Sequence, residues 1–197
     1  MQRLYDRIDS IVQENLPHVR ELRHRLHEVP EPGMKEHKTS ALITTELQQL
    51  GLEVIAGVGG TGVVADLECP NAGPYVLLRA DMDGLPVEED THVPYHSRNP
   101  GYSHCCGHDG HCACLVGAAQ ALSEVSDALH GKVRFLFQPA EEINSGAREM
   151  LEAGVLTDQL PDAIFSLHTW PKLRAGHVAS LPGTLMAGSD SFFIRIR

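Results

Sequence analysis

The sequence predicts an α/β fold: a layered sheet with helices on both of its faces. Three observations predict it. Short β-branched runs alternate with helical segments along the chain. Several of these runs are apolar at consecutive positions, as strands buried on both faces are. The chain has 197 residues, 42% of them hydrophobic and 21% charged, which is ordinary for one soluble globular domain.

Two helices are predicted first. Apolar residues recur at helical spacing between Tyr5 and Leu26, and Pro17 between them marks either a kink or a new first turn. Residues 38–50 show a second helical pattern, and Gly51 is placed to end it in a left-handed conformation.

The later elements follow from changes in this pattern. They are strands at 52–56, 62–67 and 75–80, a helix at 111–124, a strand at 132–138, a helix at 145–153 and a strand at 162–168. The last residues, SDSFFIRIR, alternate like a further strand. Gly57, Gly59 and Gly62 fit the dinucleotide motif G-x-G-x-x-G, but strand-like residues follow them where that motif needs a helix. A glycine-rich hairpin is therefore predicted there.

Charge and apolar run lengths exclude several classes of function. The formal net charge is −10 and the basic residues are scattered, so a nucleic acid partner is not expected. No apolar run approaches the roughly 18 residues of a membrane helix, and the first residues do not resemble a secretion signal. We expect a cytoplasmic protein without a membrane partner. Four of the five cysteines crowd between residues 105 and 114, which suggests metal binding or catalysis rather than structural disulfides.

Potential metal ligands stand at the ends of predicted strands and before a predicted helix. Sites in open α/β sheets are built at the carboxyl ends of strands, so these residues could share one crevice. Thiolate, imidazole and carboxylate are all ligands for zinc or manganese, and Cys106 is a candidate to bridge two ions. One of two adjacent glutamates could bind metal while the other acts as general base. The residues are Asp81, Asp83, Cys106, His108, Glu141, Glu142 and His168.

Each of these residues could also have a purely structural role. A pair of glutamates is usually a solvated surface, aspartates at strand ends often form turns, and His168 could be a satisfied, half-buried histidine. Cys105 and Cys106 could form a redox pair. We interpret Cys112 and Cys114 as helix-packing residues, and His111 as a neighbour of the ligands rather than a ligand.

Four long blocks, in order, resemble the M20 metallopeptidase family. The resemblance is to its amidohydrolase branch, which includes hippurate hydrolases, N-acyl-amino-acid amidohydrolases and auxin-conjugate hydrolases. Residues 22–40 also resemble the family's opening helix and loop. The blocks are LRADMDGLPVEE (78–89), HCCGHDGHCACLVGAAQAL (104–122), GKVRFLFQPAEEINSGAREMLEAGVL (131–156) and HTWPKLRAGHV (168–178).

The resemblance implies a role for each matching residue. Cys106 and His108 would be metal ligands, with the cysteine shared between two divalent ions, Zn²⁺ or Mn²⁺. Glu142 and His168 would be further ligands.

The other matching residues are carboxylates. Glu141 would be the general base that takes a proton from the attacking water and returns it to the departing amine. Asp83 would orient a metal-binding group. Asp81 stands where more distant relatives carry a ligand histidine, so it is a weaker candidate for a metal ligand than the other residues. The implied reaction is hydrolysis of an amide bond in N-acyl amino acids or similar small conjugates.

The resemblance also predicts the division of the chain. Family members are longer, and a lid and dimerisation domain interrupts their catalytic domain. Residues 1–185 would be the N-terminal portion of the catalytic domain, the first part of a dinuclear-metal exopeptidase-like fold, and residues 186–197 the truncated start of the lid. Full-length relatives are expected to form homodimers.

The last ligand histidine and a lid histidine of the family lie beyond these blocks. We therefore expect this polypeptide alone to be feeble or inactive, with exposed apolar surface and an unpaired sheet edge. A catalytically inactive metal-binding or partner-binding module is the alternative.

Overall fold

The computed structural model describes residues 2–188 and 192–196. It confirms the alternation of helices and strands. The described part of the chain contains four helices, five strands and one short 3₁₀ turn at Ser126–Ala128. In order they are α1 (Gln2–His27), α2 (His37–Gln49), β1 (Glu53–Val58), β2 (Gly62–Glu68), β3 (Asn71–Asp81), α3 (His108–Glu124), β4 (His130–Gln138), α4 (Gly146–Glu152) and β5 (Ala163–Ser166).

The strands form one mixed sheet in the order β1-β2-β4-β3-β5. The segment from Gly57 to Gly62 joins β1 and β2 as an antiparallel hairpin, as predicted, so it cannot present a helix to a dinucleotide. Strand β2 is also antiparallel to β4. Strand β3 runs parallel to both β4 and β5, so the carboxyl ends of these three strands lie at the same edge of the sheet.

Both faces of the sheet are covered by helices, as the sequence predicts. Alternate residues of a strand point to opposite faces, and the core divides accordingly. Phe135 and Phe137 of β4 pack with α1, α2 and α3 on one face. Leu136, which lies between them, packs with Met150 of α4 on the other face.

The ends of the elements show some differences from the prediction. Gly51 has the expected positive φ, and Pro17 lies within a continuous α1 rather than starting a new helix. Helix α3 begins at His108, three residues earlier than predicted, directly after Gly107 at a φ of 89°. Strand β5 is shorter than predicted and ends at Ser166, so His168 lies in the following loop.

The predicted final strand is not seen in the part of it that is described. Residues 192–196 have no regular structure and are exposed, and the rest of SDSFFIRIR lies outside the described residues. Alternating hydrophobicity predicts which side chains share a face, but a strand also needs a hydrogen-bonded neighbour. None of the described helices is long and apolar enough to cross a membrane.

Candidate metal centre

The predicted ligands come together at the carboxyl ends of the three parallel strands. Asp81 is the last residue of β3, and Asp83 follows it. Glu141 and Glu142 lie just after β4, and His168 lies just after β5. The other two ligands lie at the start of α3: His108 is its first residue, and Cys106 comes two residues before it.

His108 lies at the centre of the cluster and is completely buried. Its Nε2 atom is 3.6 Å from Asp81 Oδ1, 3.7 Å from Glu142 Oε1 and 3.9 Å from Glu141 Oε2. Its Nδ1 atom is 3.3 Å from Asp83 Oδ1, close enough for attraction but without the alignment of a hydrogen bond.

Two groups of donor atoms share His108. In the first group, atoms of Cys106, His108 and His168 lie within 4.8 Å of one another, and Cys106 Sγ is 3.6 Å from His168 Nε2. In the second group, atoms of His108, Glu141 and Glu142 lie within the same limit. The structure thus brings all the predicted ligands and the predicted general base into one cluster.

Unpaired polar atoms show that a cation fits this cluster. Among the described residues, neither ring nitrogen of His108 has a hydrogen-bond partner, and neither has Glu142 Oε1. All three atoms are buried, and buried polar atoms without partners are rare because they are costly. Thiol, imidazole and carboxylate together are a donor set suited to zinc and similar divalent ions.

The charges in the cluster point to the same conclusion. Burial, followed by the nearby carboxyl groups of Glu142 and Glu141, raises the pKa of the Cys106 thiol to about 12. Burial also raises the pKa of Glu142. A divalent cation would offset this repulsion and favour the thiolate, which is the form that binds metal.

Asp83 holds the backbone that carries the two glutamates. Its side chain is buried, and its two carboxylate oxygens accept hydrogen bonds from the backbone N–H groups of Glu141 and Glu142, each at 3.0 Å. Glu141 remains the more accessible glutamate, with 39% of its side chain exposed against 18% for Glu142. The geometry therefore leaves the Glu141 carboxylate accessible to solvent.

Sequence reasoning missed Glu36, which supports the same turn. The Glu36 carboxylate is completely buried and accepts hydrogen bonds from the Ala140 backbone N–H, at 2.7 Å, and from the Thr61 hydroxyl. Ala140 has a φ of 50°, which is uncommon for a residue other than glycine. The sequence gives no signal for this role, because a glutamate just before a helix is usually a solvated charge near the helix N-terminus.

A second missed group fixes the start of α3. The Asp109 carboxylate, next to His108, accepts a hydrogen bond from His27 Nδ1 at 2.7 Å and forms an ion pair with Arg23, whose Nε also lies 2.7 Å away. This hydrogen bond to Asp109, opposed by burial, raises the pKa of His27. Helix α1 thereby holds the first turn of α3 in place.

His111 lies beside the cluster, as predicted, and both of its nitrogens are used. Nδ1 lies 2.6 Å from Asp81 Oδ1, and Nε2 accepts a hydrogen bond from the Thr169 N–H at 2.9 Å. Burial alone would raise the pKa of Asp81, but the hydrogen bond with His111 and the charges of His108 and Arg79 outweigh it, and that pKa lies well below its usual range.

The cysteines outside the cluster differ from one another. Cys112 is buried and packs in the core between α3 and the sheet, as predicted. The packing prediction is wrong for Cys114, which is exposed because two residues along a helix bring it to the other side. All five cysteines are free thiols.

Comparisons with known proteins show to which family the chain belongs. Residues 77–188, more than half of the chain, match the model for peptidase family M20/M25/M40. The chain is 44% identical over 175 residues to N-acetyl-L-cysteine deacetylase of Bacillus subtilis, covering 89% of this chain and 42% of that protein. It is 40% identical over 192 residues to N-acyl-L-amino acid amidohydrolase of Geobacillus stearothermophilus, covering 97% and 51%.

A solved structure shares the fold. The YXEP protein of Bacillus subtilis, described as a dinuclear metal binding peptidase from the M20 family, superimposes with a TM-score of 0.77 at 39% identity. The match covers 85% of this chain and 46% of that one. The sheet and its helices thus have the architecture of a dinuclear-metal hydrolase domain. The chain belongs to peptidase family M20, and it spans about half the length of the relatives it matches.

Proposed function

We propose that the protein hydrolyses an amide bond in N-acyl amino acids or similar small conjugates, using two divalent ions, Zn²⁺ or Mn²⁺. Cys106, His108, Glu142 and His168 would hold the ions. The observation that carries this proposal is the buried His108, whose two ring nitrogens lack hydrogen-bond partners among the described residues at the meeting point of both donor groups. The names of the two hydrolase relatives support the substrate class.

Bound divalent cations supply Lewis acidity: they polarise an amide carbonyl and can bring the pKa of water down to about 7. Glu141 then acts as the general base and takes the proton of the attacking water on its carboxylate. The water oxygen forms a bond to the carbonyl carbon, and the carbon–nitrogen bond breaks. Glu141 passes its proton to the nitrogen, so the products are a carboxylic acid and a free amine.

Asp83 would act by position rather than by proton transfer. It fixes the backbone of both glutamates and lies beside His108, so it sets where the general base stands relative to the ligands. We assign residues 1–185 to the N-terminal portion of a catalytic domain and residues 186–197 to the start of a lid and dimerisation domain. A homodimer is proposed for the longer protein.

The test separates metal binding from turnover. The 197-residue chain is loaded with Mn²⁺ or Zn²⁺, its metal content is measured, and hydrolysis of hippurate and N-acetyl amino acids is followed with enzyme in excess. We expect bound metal with weak but measurable turnover in this chain, and a Glu141→Gln variant that keeps its metal and loses about a hundredfold or more of that turnover. Glu142→Gln is the matched control and should lose metal.

Three results would count against the proposal. Absence of metal uptake would contradict the site itself. Metal uptake without any turnover would favour a binding module without catalysis. Turnover that Glu141→Gln leaves unchanged would remove Glu141 as the base.

A further inference from the structure

We infer that Asp81 and His111 form a positioning pair that holds two of the proposed ligands, Cys106 and His168, in place through Thr169. His111 is not itself a ligand. The inference rests on the proposed function for the identity of the ligands, but the hydrogen bonds that carry it belong to the chain alone.

A continuous set of hydrogen bonds runs from the sheet to the ligands. Arg79 Nη1 donates to Asp81 Oδ2 at 2.7 Å, and Asp81 Oδ1 lies 2.6 Å from His111 Nδ1. His111 Nε2 accepts from the Thr169 N–H at 2.9 Å, and the Thr169 hydroxyl donates to the carbonyl oxygen of Cys106 at 3.1 Å. The Asp81 and His111 side chains are almost completely buried, 1% and 3% exposed.

These contacts fix the tautomer of His111. A backbone N–H can only donate, so the Nε2 atom that faces Thr169 must carry a lone pair and no proton. In the neutral ring the proton is then on Nδ1, where it is donated to the carboxylate of Asp81. Both nitrogens are thereby occupied, and His111 has no lone pair left for a metal.

This result decides between two assignments of the site. Atoms of Asp81, His108 and His111 also lie within 4.8 Å of one another, so distance alone would allow these three residues to hold a cation. The hydrogen bonds of His111 exclude it from that set in the described conformation, because its Nδ1 proton is donated to Asp81 and its Nε2 lone pair accepts from Thr169.

Thr169 is the point at which the two ligands are tied together. It is the neighbour of His168 in the chain, and its hydroxyl holds the backbone of Cys106, which lies 62 residues from His168 in the sequence. A Cβ atom added at Gly107 would stand 2.5 Å from the Thr169 hydroxyl oxygen, so only glycine at that position lets the threonine approach. The close approach brings Cys106 Sγ to 3.6 Å from His168 Nε2.

His168 depends on this support because the sheet does not hold it. Strand β5 ends at Ser166, and His168 is exposed. Its Nδ1 lies 2.6 Å from the carbonyl oxygen of Thr169, so Nδ1 carries the proton and the Nε2 lone pair is directed towards Cys106. Hydrogen bonds of this kind set the orientation of ligating histidines, and their loss typically weakens metal affinity about 10-fold to 100-fold.

The first measurement needs no metal. Imidazole ¹⁵N spectra of the metal-free chain report which ring nitrogen of each histidine carries its proton, and His111→Gln identifies the His111 signals. We expect a proton on Nδ1 of His111 and strong protection of the Thr169 amide from exchange. A proton on Nε2, or a Thr169 amide that exchanges as freely as an exposed loop, would overturn the inference.

The second measurement uses Co²⁺ alone as the probe, because a cobalt–thiolate charge-transfer band reports the position of Cys106. Glutamine at position 111 can still accept from Thr169 and donate to Asp81, so His111→Gln should keep the metal stoichiometry and the thiolate band. His111→Ala should keep the stoichiometry, shift the band and bind about 10-fold to 100-fold more weakly.

Loss of the same metal equivalent in both variants would show that His111 is a ligand and would refute the positioning role. If the parent chain takes up no Co²⁺, the proposed function fails, while the ¹⁵N spectra still decide the fate of the hydrogen-bonded pair. If His111→Ala does not fold, the comparison of the parent with His111→Gln decides the ligand question.

Discussion

Glu36 offers the sharpest test of how the fold supports the proposed general base. Its carboxylate is fully buried, and it is the acceptor for the backbone N–H of Ala140, the residue just before Glu141. The same carboxylate accepts from the Thr61 hydroxyl. Replacing Glu36 with alanine therefore leaves two buried donors without their acceptor and opens space beside the turn.

The cost can be worked out from these contacts. A buried donor left without a partner costs about 1–3 kcal/mol, so Glu36→Ala should lower the free energy of unfolding by about 2–6 kcal/mol. That is a large share of the roughly 5–15 kcal/mol that stabilises a typical domain. Glutamine at this position can accept from Ala140 and donate to the Thr61 oxygen, so Glu36→Gln should cost only about 1 kcal/mol.

Urea unfolding of the parent and both variants, together with hydrogen exchange of the Ala140 amide, provides the measurement. The Ala140 amide should lose protection in Glu36→Ala and keep it in Glu36→Gln. The metal affinity should fall in the same order, because the turn that carries Glu142 then loses one of the two buried carboxylates that bind its backbone amides. If Glu36→Ala is as stable as Glu36→Gln and protects Ala140 equally well, this reasoning is refuted.

Three further predictions concern other parts of the chain. Burial would raise the pKa of Asp66 on β2, but its hydrogen bonds with Arg134 opposite it on β4 and its ion pair with Lys132 together lower that pKa. The stability that these contacts add is present above the usual aspartate pKa and is lost as the pH falls through the lowered value. Urea unfolding between about pH 5 and pH 1 should show this loss in the parent and not in Asp66→Asn, and parallel curves would contradict it. Asp83→Asn leaves one acceptor oxygen for the backbone amides of Glu141 and Glu142, so titration calorimetry should show metal binding that is weaker by about 10-fold or more. An unchanged metal affinity would mean that Asp83 does not hold the turn. Cys112→Ala should lower the free energy of unfolding by about 1 kcal/mol and keep the full metal content, whereas Cys106→Ala should lose metal. Loss of metal from the Cys112 variant would instead show that this buried thiol is a ligand.

The type and order of the elements could be predicted from the sequence because hydrophobic periodicity is local. The period of two in β4 places Phe135 and Phe137 on one face and Leu136 on the other, as found. The position of β4 between β2 and β3 could not be read in this way, because strand order depends on contacts between distant segments. The end of β5 was missed for a related reason: Leu167 and His168 continue the strand pattern, but hydrogen bonding to β3 ends at Ser166.

The site shows the same division between local and distant information. Residue types at strand ends were enough to nominate the ligands and the base, because the carboxyl ends of parallel strands share an edge. The partners of those residues were not predictable. Glu36 bonds to a backbone amide 104 residues away, and His111 bonds to Thr169 58 residues away, and neither pairing leaves a pattern in the sequence.

These partners explain which carboxylates are free for chemistry. Asp81, Asp83 and Glu36 each use both oxygens in hydrogen bonds to neighbouring side chains or backbone amides. Glu142 keeps a buried oxygen without a hydrogen-bond partner among the described residues, and Glu141 keeps the most accessible carboxylate of the cluster. Each hydrogen bond that a carboxylate oxygen accepts occupies a lone pair and fixes its direction, so these two glutamates keep more lone pairs available for a cation or a proton. The adjacent glutamates can therefore take different roles: Glu142 has a buried oxygen 3.7 Å from His108 Nε2 that no described residue hydrogen-bonds, while Glu141 keeps a carboxylate that solvent reaches.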